Sequence, residues 1–196
     1  MYEVEVKVRA DHAAVRERLD DLNAHSVGVV TQEDFYYDAP HRDFAETDEA
    51  LRIRREADDD DAVEVVTYKG PLVEEESKTR KEHETVIGNG DTVDELLSAL
   101  GFESAATVHK ERERYELDGY VVSLDAVTGL GEFVEVETET DEEGDIESAR
   151  VGAYDVLREL GLNPEEQIRT SYLGLLLEGK TGDEERMRNG RGADEQ

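Results

Sequence analysis

The 196-residue chain contains no cysteine, only three prolines, and few positive charges for its size. Without cysteine there are no disulfides, no Cys-ligated zinc and no thiol nucleophile. With so little proline and no serine-rich stretch, no linker divides the chain, and its length suits one domain with a sizeable core. Lysine and arginine total 22 against 52 aspartates and glutamates, a net charge of −30. A general nucleic-acid-binding surface is thereby excluded, because neutralising phosphates takes clustered cations. An anionic membrane is disfavoured for the same reason. No apolar run is long enough to span a bilayer, and the opening MYEVEVKVR is charged from its third residue, unlike a signal peptide. A cytoplasmic protein, with neither nucleic acid nor membrane as partner, is the expectation.

Charge at this level opposes collapse and could signal disorder. Apolar residues nevertheless recur with strand and helix periods almost to the end of the chain. An Asp/Glu excess with only six lysines resembles proteins of salt-loving archaea, where concentrated salt shortens the Debye length to a few Å and self-repulsion costs little. Most of the charge is read as a solvating coat.

Tyr2 to Arg9 alternates strictly, with Tyr2, Val4, Val6 and Val8 on one face and Glu3, Glu5, Lys7 and Arg9 on the other, the period of a strand. Seven more strands are predicted over Gln32–Asp38, Ala50–Glu56, Ala62–Lys69, Thr79–Ile87, Thr107–Leu117, Tyr120–Val127 and Glu132–Thr140. Asp58–Asp61 and Asp118-Gly119 read as hairpin tips, and Gly129 and Gly131 as a bend. Helices are predicted from Asp11 to about Ala24, after a capping box at Thr92-x-x-Glu95 running to Gly101, over Asp145–Leu160, and over Ser171–Leu177. Residues 1–178 thus form one α+β domain, an eight-stranded antiparallel β-barrel with helices packed on its outside. Residues 179–196 are polar and aperiodic and read as a disordered tail.

Several strands carry charges two residues apart: Glu3/Glu5/Lys7, Arg52/Arg54, Arg80/Glu82/Glu84, Lys110/Arg112/Arg114 and Glu135/Glu137, with Asp125 following Ser123. Any one such face could be solvated, with cross-strand ion pairs worth a few tenths of a kcal/mol. A solvated face in this chain should be almost wholly acidic, however. Ten of the 22 basic residues, including Lys7, Lys69, Lys78, Arg80 and Lys110, lie in or near these strands. If the helices cover the apolar faces, the charged faces point into the barrel and gather cations for a polyanionic ligand. Carboxylates two apart on a strand offer oxygen ligands to a hard divalent cation such as Mg²⁺ or Mn²⁺, which would complete a phosphoryl-transfer site. The five histidines lack metal-site spacing, and His12, His25 and His41 read as surface residues. There is no Walker A loop.

The ordered motifs Glu3-Val4-Glu5-Val6-Lys7, Leu51-Arg52-Ile53-Arg54, Thr67-Tyr68-Lys69-Gly70-Pro71, Lys110-x-Arg112, Leu124-Asp125 and Gly129-Leu130-Gly131-Glu132-Phe133-Val134-Glu135-Val136-Glu137, closed by Ser171-Tyr172-Leu173, resemble the CYTH superfamily of triphosphate tunnel metalloenzymes. The resemblance spans about residues 1–177. It implies a tunnel in which Lys7, Arg52, Arg54, Lys69, Arg80, Lys110 and Arg112 contact a triphosphate. It also implies that Glu3, Glu5 and Glu135 hold Mg²⁺ or Mn²⁺, with Glu137, Asp125 and Glu84 as helpers, so that Lys7, Glu3 and Glu5 form the catalytic group. Arg114 lies one strand repeat beyond the Lys-x-Arg pair. The Lys-Gly-Pro and Gly-Leu-Gly-x-Phe-Val-Glu segments most resemble class IV adenylate cyclases, which convert ATP to cyclic AMP and pyrophosphate. An inorganic or thiamine triphosphatase, or a binding module without turnover, remains open, as does a homodimer.

Overall fold

The alternation of Tyr2–Arg9 forms β1, and the computed structural model, which describes residues 1–74 and 76–179, places seven further strands around it. These are β2 (His25–Asp38), β3 (Ala50–Ala57), β4 (Ala62–Leu72), β5 (Arg80–Ile87), β6 (Glu103–Leu117), β7 (Tyr120–Val127) and β8 (Gly131–Thr140). All neighbours pair antiparallel in the order β1-β5-β4-β3-β2-β6-β7-β8, which closes on itself. The expected eight-stranded barrel is therefore the observed one. Helices α1 (His12–Asp21), α2 (Phe44–Thr47, a single turn), α3 (Gly90–Ala99) and α4 (Ile146–Glu159) connect the strands or follow them. Residues 172–179 form a closing helix, α5, started by the Ser171 hydroxyl, which accepts from the Gly174 amide at 3.0 Å. From residue 180 onward the disordered tail read from the sequence lies outside the described residues. No described helix is long and apolar enough to cross a membrane.

The core lies between the outer wall of the barrel and two helices. Val6, Val8, Val122, Leu124, Val134 and Val136 pack against Val15 and Leu19 of α1 and Ala153, Val156 and Leu157 of α4. Each of these side chains is at most 4% exposed, so the apolar face of β1 is sealed from water as the alternation requires. The opposite face of every strand must then point into the barrel.

Local chemistry sets the element ends, with some departures from the sequence reading. Asp118 and Gly119 both adopt positive φ (51° and 83°), the geometry of the tight β6–β7 hairpin. The α3 cap is Asn89, whose side chain accepts from the Thr92 amide at 2.8 Å; Thr92 lies inside the helix rather than capping it. β2 begins at His25, seven residues before the predicted start, because its first half pairs with β6 across an irregularity at Gly28 and leaves Val27 and Val29 exposed. Val27 and Val29 alternate there, but Gly28 between them and Val30 directly after blur the strand period. His12 is not a surface residue: it is 3% exposed and its Nε2 lies 3.0 Å from the Phe133 carbonyl.

One seam is incomplete. β1 and β5 pair only through Tyr2–Lys81 and Glu3–Arg80. Beyond Glu3 the wall is continued by the stretch around Ser77 and Lys78, where the Lys78 amide donates to the Glu5 carbonyl at 3.2 Å. Ser77 and Thr79 are fully buried there, and Arg150 of α4 holds Glu74 beneath them at 2.5 Å.

Candidate functional site

The inward faces converge on one cavity of about 780 Å³. Register explains the convergence: Lys7 sits opposite Glu135 and Glu5 opposite Glu137 across β1–β8, and Arg112 opposite Asp125 across β6–β7. Arg54 sits opposite Asp34 across β2–β3, and Lys69 opposite Glu82 across β4–β5. All seven sequence-predicted cations line this cavity: Lys7, Arg52, Arg54, Lys69, Arg80, Lys110 and Arg112. Arg114 and Lys78 line it too, which places nine basic side chains inside a chain of net charge −30.

Three groupings share the interior. In the first, Asp125 accepts from Lys110 at 2.9 Å and from both Nε and Nη2 of Arg112 at 2.6 Å, and Arg112 also binds Glu135. Lys7 stands 3.6 Å from Glu135 and 3.5 Å from Glu5. In the second, Asp34 takes a bidentate contact from Arg54 (2.6 and 2.8 Å) and a third from Arg52 at 3.3 Å. Burial works against the Asp34 charge, yet the two guanidinium groups outweigh it and hold the carboxyl well below the usual range. In the third, Lys69 bridges Glu3 at 2.6 Å and Glu82 at 2.8 Å. Burial raises the Glu3 carboxyl, but Lys69, Glu82 and Arg52 together outweigh it and the net shift is downward. Burial, with Glu3 alongside, pushes Glu82 upward against Lys69.

The carboxylates sort by their partners. Glu3, Glu5 and Glu137 bring oxygens within 4.8 Å of one another. Glu5 is 8% exposed, and its Oε1 has no hydrogen-bond partner among the described residues. Burial, together with Glu3, Glu135 and Glu5 nearby, pushes the Glu137 carboxyl upward against Arg112. Three all-oxygen donors that repel one another, one with a buried oxygen that makes no hydrogen bond and has only the ammonium of Lys7 at 3.5 Å, fit a hard divalent cation. Glu135 and Asp125, also read as ligands, are instead engaged by Arg112, and Glu84 accepts from the Thr67 hydroxyl at 2.8 Å. Arg80 lines the cavity while giving its guanidinium to Asp48, at 2.6 Å to the carbonyl and 2.8 Å to the carboxylate. Arg114 is paired with Glu56.

Sequence reasoning missed Asp34 as a site residue and left Lys78 without a role. Both carried a usable signal. Asp34 continues a polar face with Gln32 in a predicted strand, and Lys78 stands two before Arg80, on the face that continues through Glu82 and Glu84. Burial, with Lys7 and Arg80 nearby, pushes the Lys78 ammonium down to about 8 against the pull of Glu5. Lys110 is likewise lowered to about 8, by burial first and by Arg112 second. A second cavity of 1520 Å³ adjoins the first through Tyr36, Asp48, Glu49, Ala50, Ser171 and Leu173.

Comparisons with known proteins show the family and the fold. A protein of Methanocaldococcus jannaschii, provisionally named an adenylate cyclase, is 38% identical over 176 residues, covering 89% of this chain and 98% of its own. A solved structure from Pyrococcus horikoshii superposes with a TM-score of 0.85 at 41% identity, covering 90% of this chain and 99% of that one. A Hippeastrum protein, provisionally named an adenylyl cyclase and described as having a dominant triphosphatase activity, shares the fold. It has a TM-score of 0.57 and 20% identity, covering 82% of this chain and 88% of its own. Residues 1–172 match the CYTH domain throughout, and the chain belongs to the CYTH domain family.

Proposed function

We propose that the protein is a metal-dependent enzyme acting on a triphosphate, converting ATP to cyclic AMP and pyrophosphate. The observation that carries this reading is the concentration of nine basic side chains inside the barrel of so acidic a chain. Nine carboxylates line the same cavity, so the cations would meet a polyanion of three linked phosphates while a divalent cation takes up the charge of Glu3, Glu5 and Glu137. The cyclase reading is supported by the name of the M. jannaschii relative and its coverage of nearly the whole chain.

In this reading Lys7, Arg52, Arg54, Lys69, Lys78, Arg80, Lys110 and Arg112 hold the phosphate chain. Asp34 and Asp125 keep the guanidinium planes of Arg54 and Arg112 fixed before substrate arrives, so orientation costs little at the moment of reaction. The ribose 3′-oxygen attacks the α-phosphorus and its proton passes to solvent, while the bond from the α-phosphorus to the bridging oxygen breaks with its electron pair leaving on pyrophosphate. The surrounding cations stabilise that departing charge. Glu3, Glu5 and Glu137 would hold Mg²⁺ or Mn²⁺, which when bound supplies charge neutralisation and acidifies the attacking hydroxyl.

A second reading, hydrolysis of the terminal phosphate, is favoured by the triphosphatase activity described for the Hippeastrum protein. The grip on the substrate is the same, and a water replaces the ribose hydroxyl as nucleophile. Purified protein incubated in high KCl with Mg²⁺ or Mn²⁺ and, separately, ATP, tripolyphosphate or thiamine triphosphate separates the two. Cyclic AMP with equimolar pyrophosphate is the expected result. Orthophosphate from any of the three substrates would replace the cyclase reading with the triphosphatase one, and no product from any would overturn both.

A further inference from the structure

The first turn of α5 puts Tyr172 against the end of the cationic cavity. Its ring packs edge-on against Phe133, centroids 5.0 Å apart, and carries Lys7 Nζ at 4.3 Å and Lys110 Nζ at 5.2 Å from its centroid. The residue is 7% exposed and lines the same cavity as the cations. Its hydroxyl is buried and has no hydrogen-bond partner among the described residues. A phenol at that depth ordinarily finds one, because leaving it unpaired costs the desolvation of a polar group.

The surroundings indicate what is missing. Lys7 and Lys110 bring only N–H donors, and they meet the ring rather than the oxygen. Burial first, then the charges of Glu135, Asp125 and Glu5, push the phenol well above its ordinary value, so the proton stays on oxygen and the group serves as a donor. Lys7 and Lys110 already have carboxylate partners in Glu5, Glu135 and Asp125, whereas the Tyr172 hydroxyl has none, and an anionic oxygen arriving from outside the chain would give that donor its acceptor beside two ammonium groups.

We propose that Tyr172 is a substrate-binding residue whose hydroxyl donates a hydrogen bond to a phosphate oxygen of the triphosphate held by Lys7 and Lys110. The assignment rests on the triphosphate reading above and adds to it a neutral donor delivered by the closing helix. The ring contributes in a second way, through its two cation–π contacts. These hold both ammonium groups against the same ring, which brings the lysines close to the hydroxyl that would meet the phosphate. The hydroxyl makes no hydrogen bond to the described residues and would gain a protein–ligand one on binding.

That asymmetry sets the test. Tripolyphosphate and ATP are titrated calorimetrically into the wild-type protein, Tyr172→Phe and Tyr120→Phe, and the ligand-free proteins are melted. Tyr120 is the control because its hydroxyl already donates to the Ala149 carbonyl at 3.0 Å, beneath α4 and away from the cavity. Tyr172→Phe should bind roughly ten- to a hundredfold more weakly, as expected for a hydrogen bond to a charged acceptor, with a thermal midpoint equal to or above wild type. Tyr120→Phe should show the reverse, a lower midpoint with unchanged binding. Equal affinity of Tyr172→Phe and wild type would overturn the assignment, as would weaker binding accompanied by a lowered midpoint, which marks a structural role. A binding loss of equal size in Tyr120→Phe would also overturn it. If wild type itself bound neither ligand, the triphosphate reading would fall and this assignment with it, an outcome distinct from the others.

Discussion

The two faces of β1 are both buried, and they are buried by opposite chemistry. Val4, Val6 and Val8 lie against α1, α4 and their surroundings at no more than 2% exposure, while Glu5 and Lys7, one residue away in each case, face the cavity at 8% and 3%. The outer face is complete in itself: each apolar side chain finds apolar neighbours, and removal from water stabilises it by about 25 cal/mol per Å². The inner face is incomplete. Its ions are paired, yet Glu5 Oε1, Arg52 Nε and the Tyr172 hydroxyl have no hydrogen-bond partner among the described residues. Burying ions costs several kcal/mol each, and their mutual attraction offsets this only in part. The stability of the barrel therefore rests on its outer wall, which allows the inner wall to hold a set of charges arranged for something other than folding.

The largest effect expected from this division comes from moving inner-face chemistry to the outer face. Val134→Asp places an unpaired carboxylate among Val6, Leu157 and Val136, where Val134 is fully buried. That penalty of several kcal/mol approaches the whole stability of an ordinary domain, so no cooperative thermal transition should remain by circular dichroism. A folded variant with a midpoint near wild type would mean that the outer wall does not carry the fold. The inner face of β1 gives the converse. Glu5→Gln should lower metal-dependent turnover by at least about 100-fold while leaving the midpoint within a few degrees, since Oε1 makes no hydrogen bond to lose. Retained turnover would remove Glu5 from the metal-binding group.

This division also explains what could be read from the sequence. Period-two alternation is a property of a single strand, so β1, β7 and the charged faces of β3 and β8 were legible residue by residue, and the barrel followed from eight such strands. Pairing between strands is not written in any one of them. Nothing in the sequence joins Asp125 and Glu135 to the same arginine, or sets Glu137 opposite Glu5; the register of β6, β7, β8 and β1 does that. The first half of β2 was missed for a related reason. Its outward residues Val27 and Val29 meet solvent, so their spacing marks no buried face, and Gly28 and Val30 interrupt the period. His12 was misplaced because its burial depends on the Phe133 carbonyl, more than a hundred residues away.

Asp34 gives the smallest effect, and it separates interior charge from the acidic coat. Its carboxyl is 2% exposed and is held well below the usual range because Arg52 and Arg54 outweigh the burial that would raise it. In the unfolded chain the same group titrates near its ordinary value of about 3.9. A carboxyl depressed on folding contributes stability that is fully present above the unfolded value and is lost as pH falls through it toward the folded one, with a slope of at most about 1.4 kcal/mol per pH unit for one proton. Asp34→Asn cannot take part in that titration. Wild type should therefore exceed Asp34→Asn in stability by a constant margin from pH 7 down to about 5, and the margin should narrow steadily below pH 4, as measured by urea denaturation at each pH. Exposed carboxylates of the coat remain in both proteins and cancel in the difference. Added KCl screens that coat over a few Å but leaves a buried bidentate pair largely untouched, so the narrowing should keep its pH range in molar salt. A margin independent of pH would show that Asp34 is not held ionised by its arginines, and the inner wall would then be less ordered by charge than its geometry indicates.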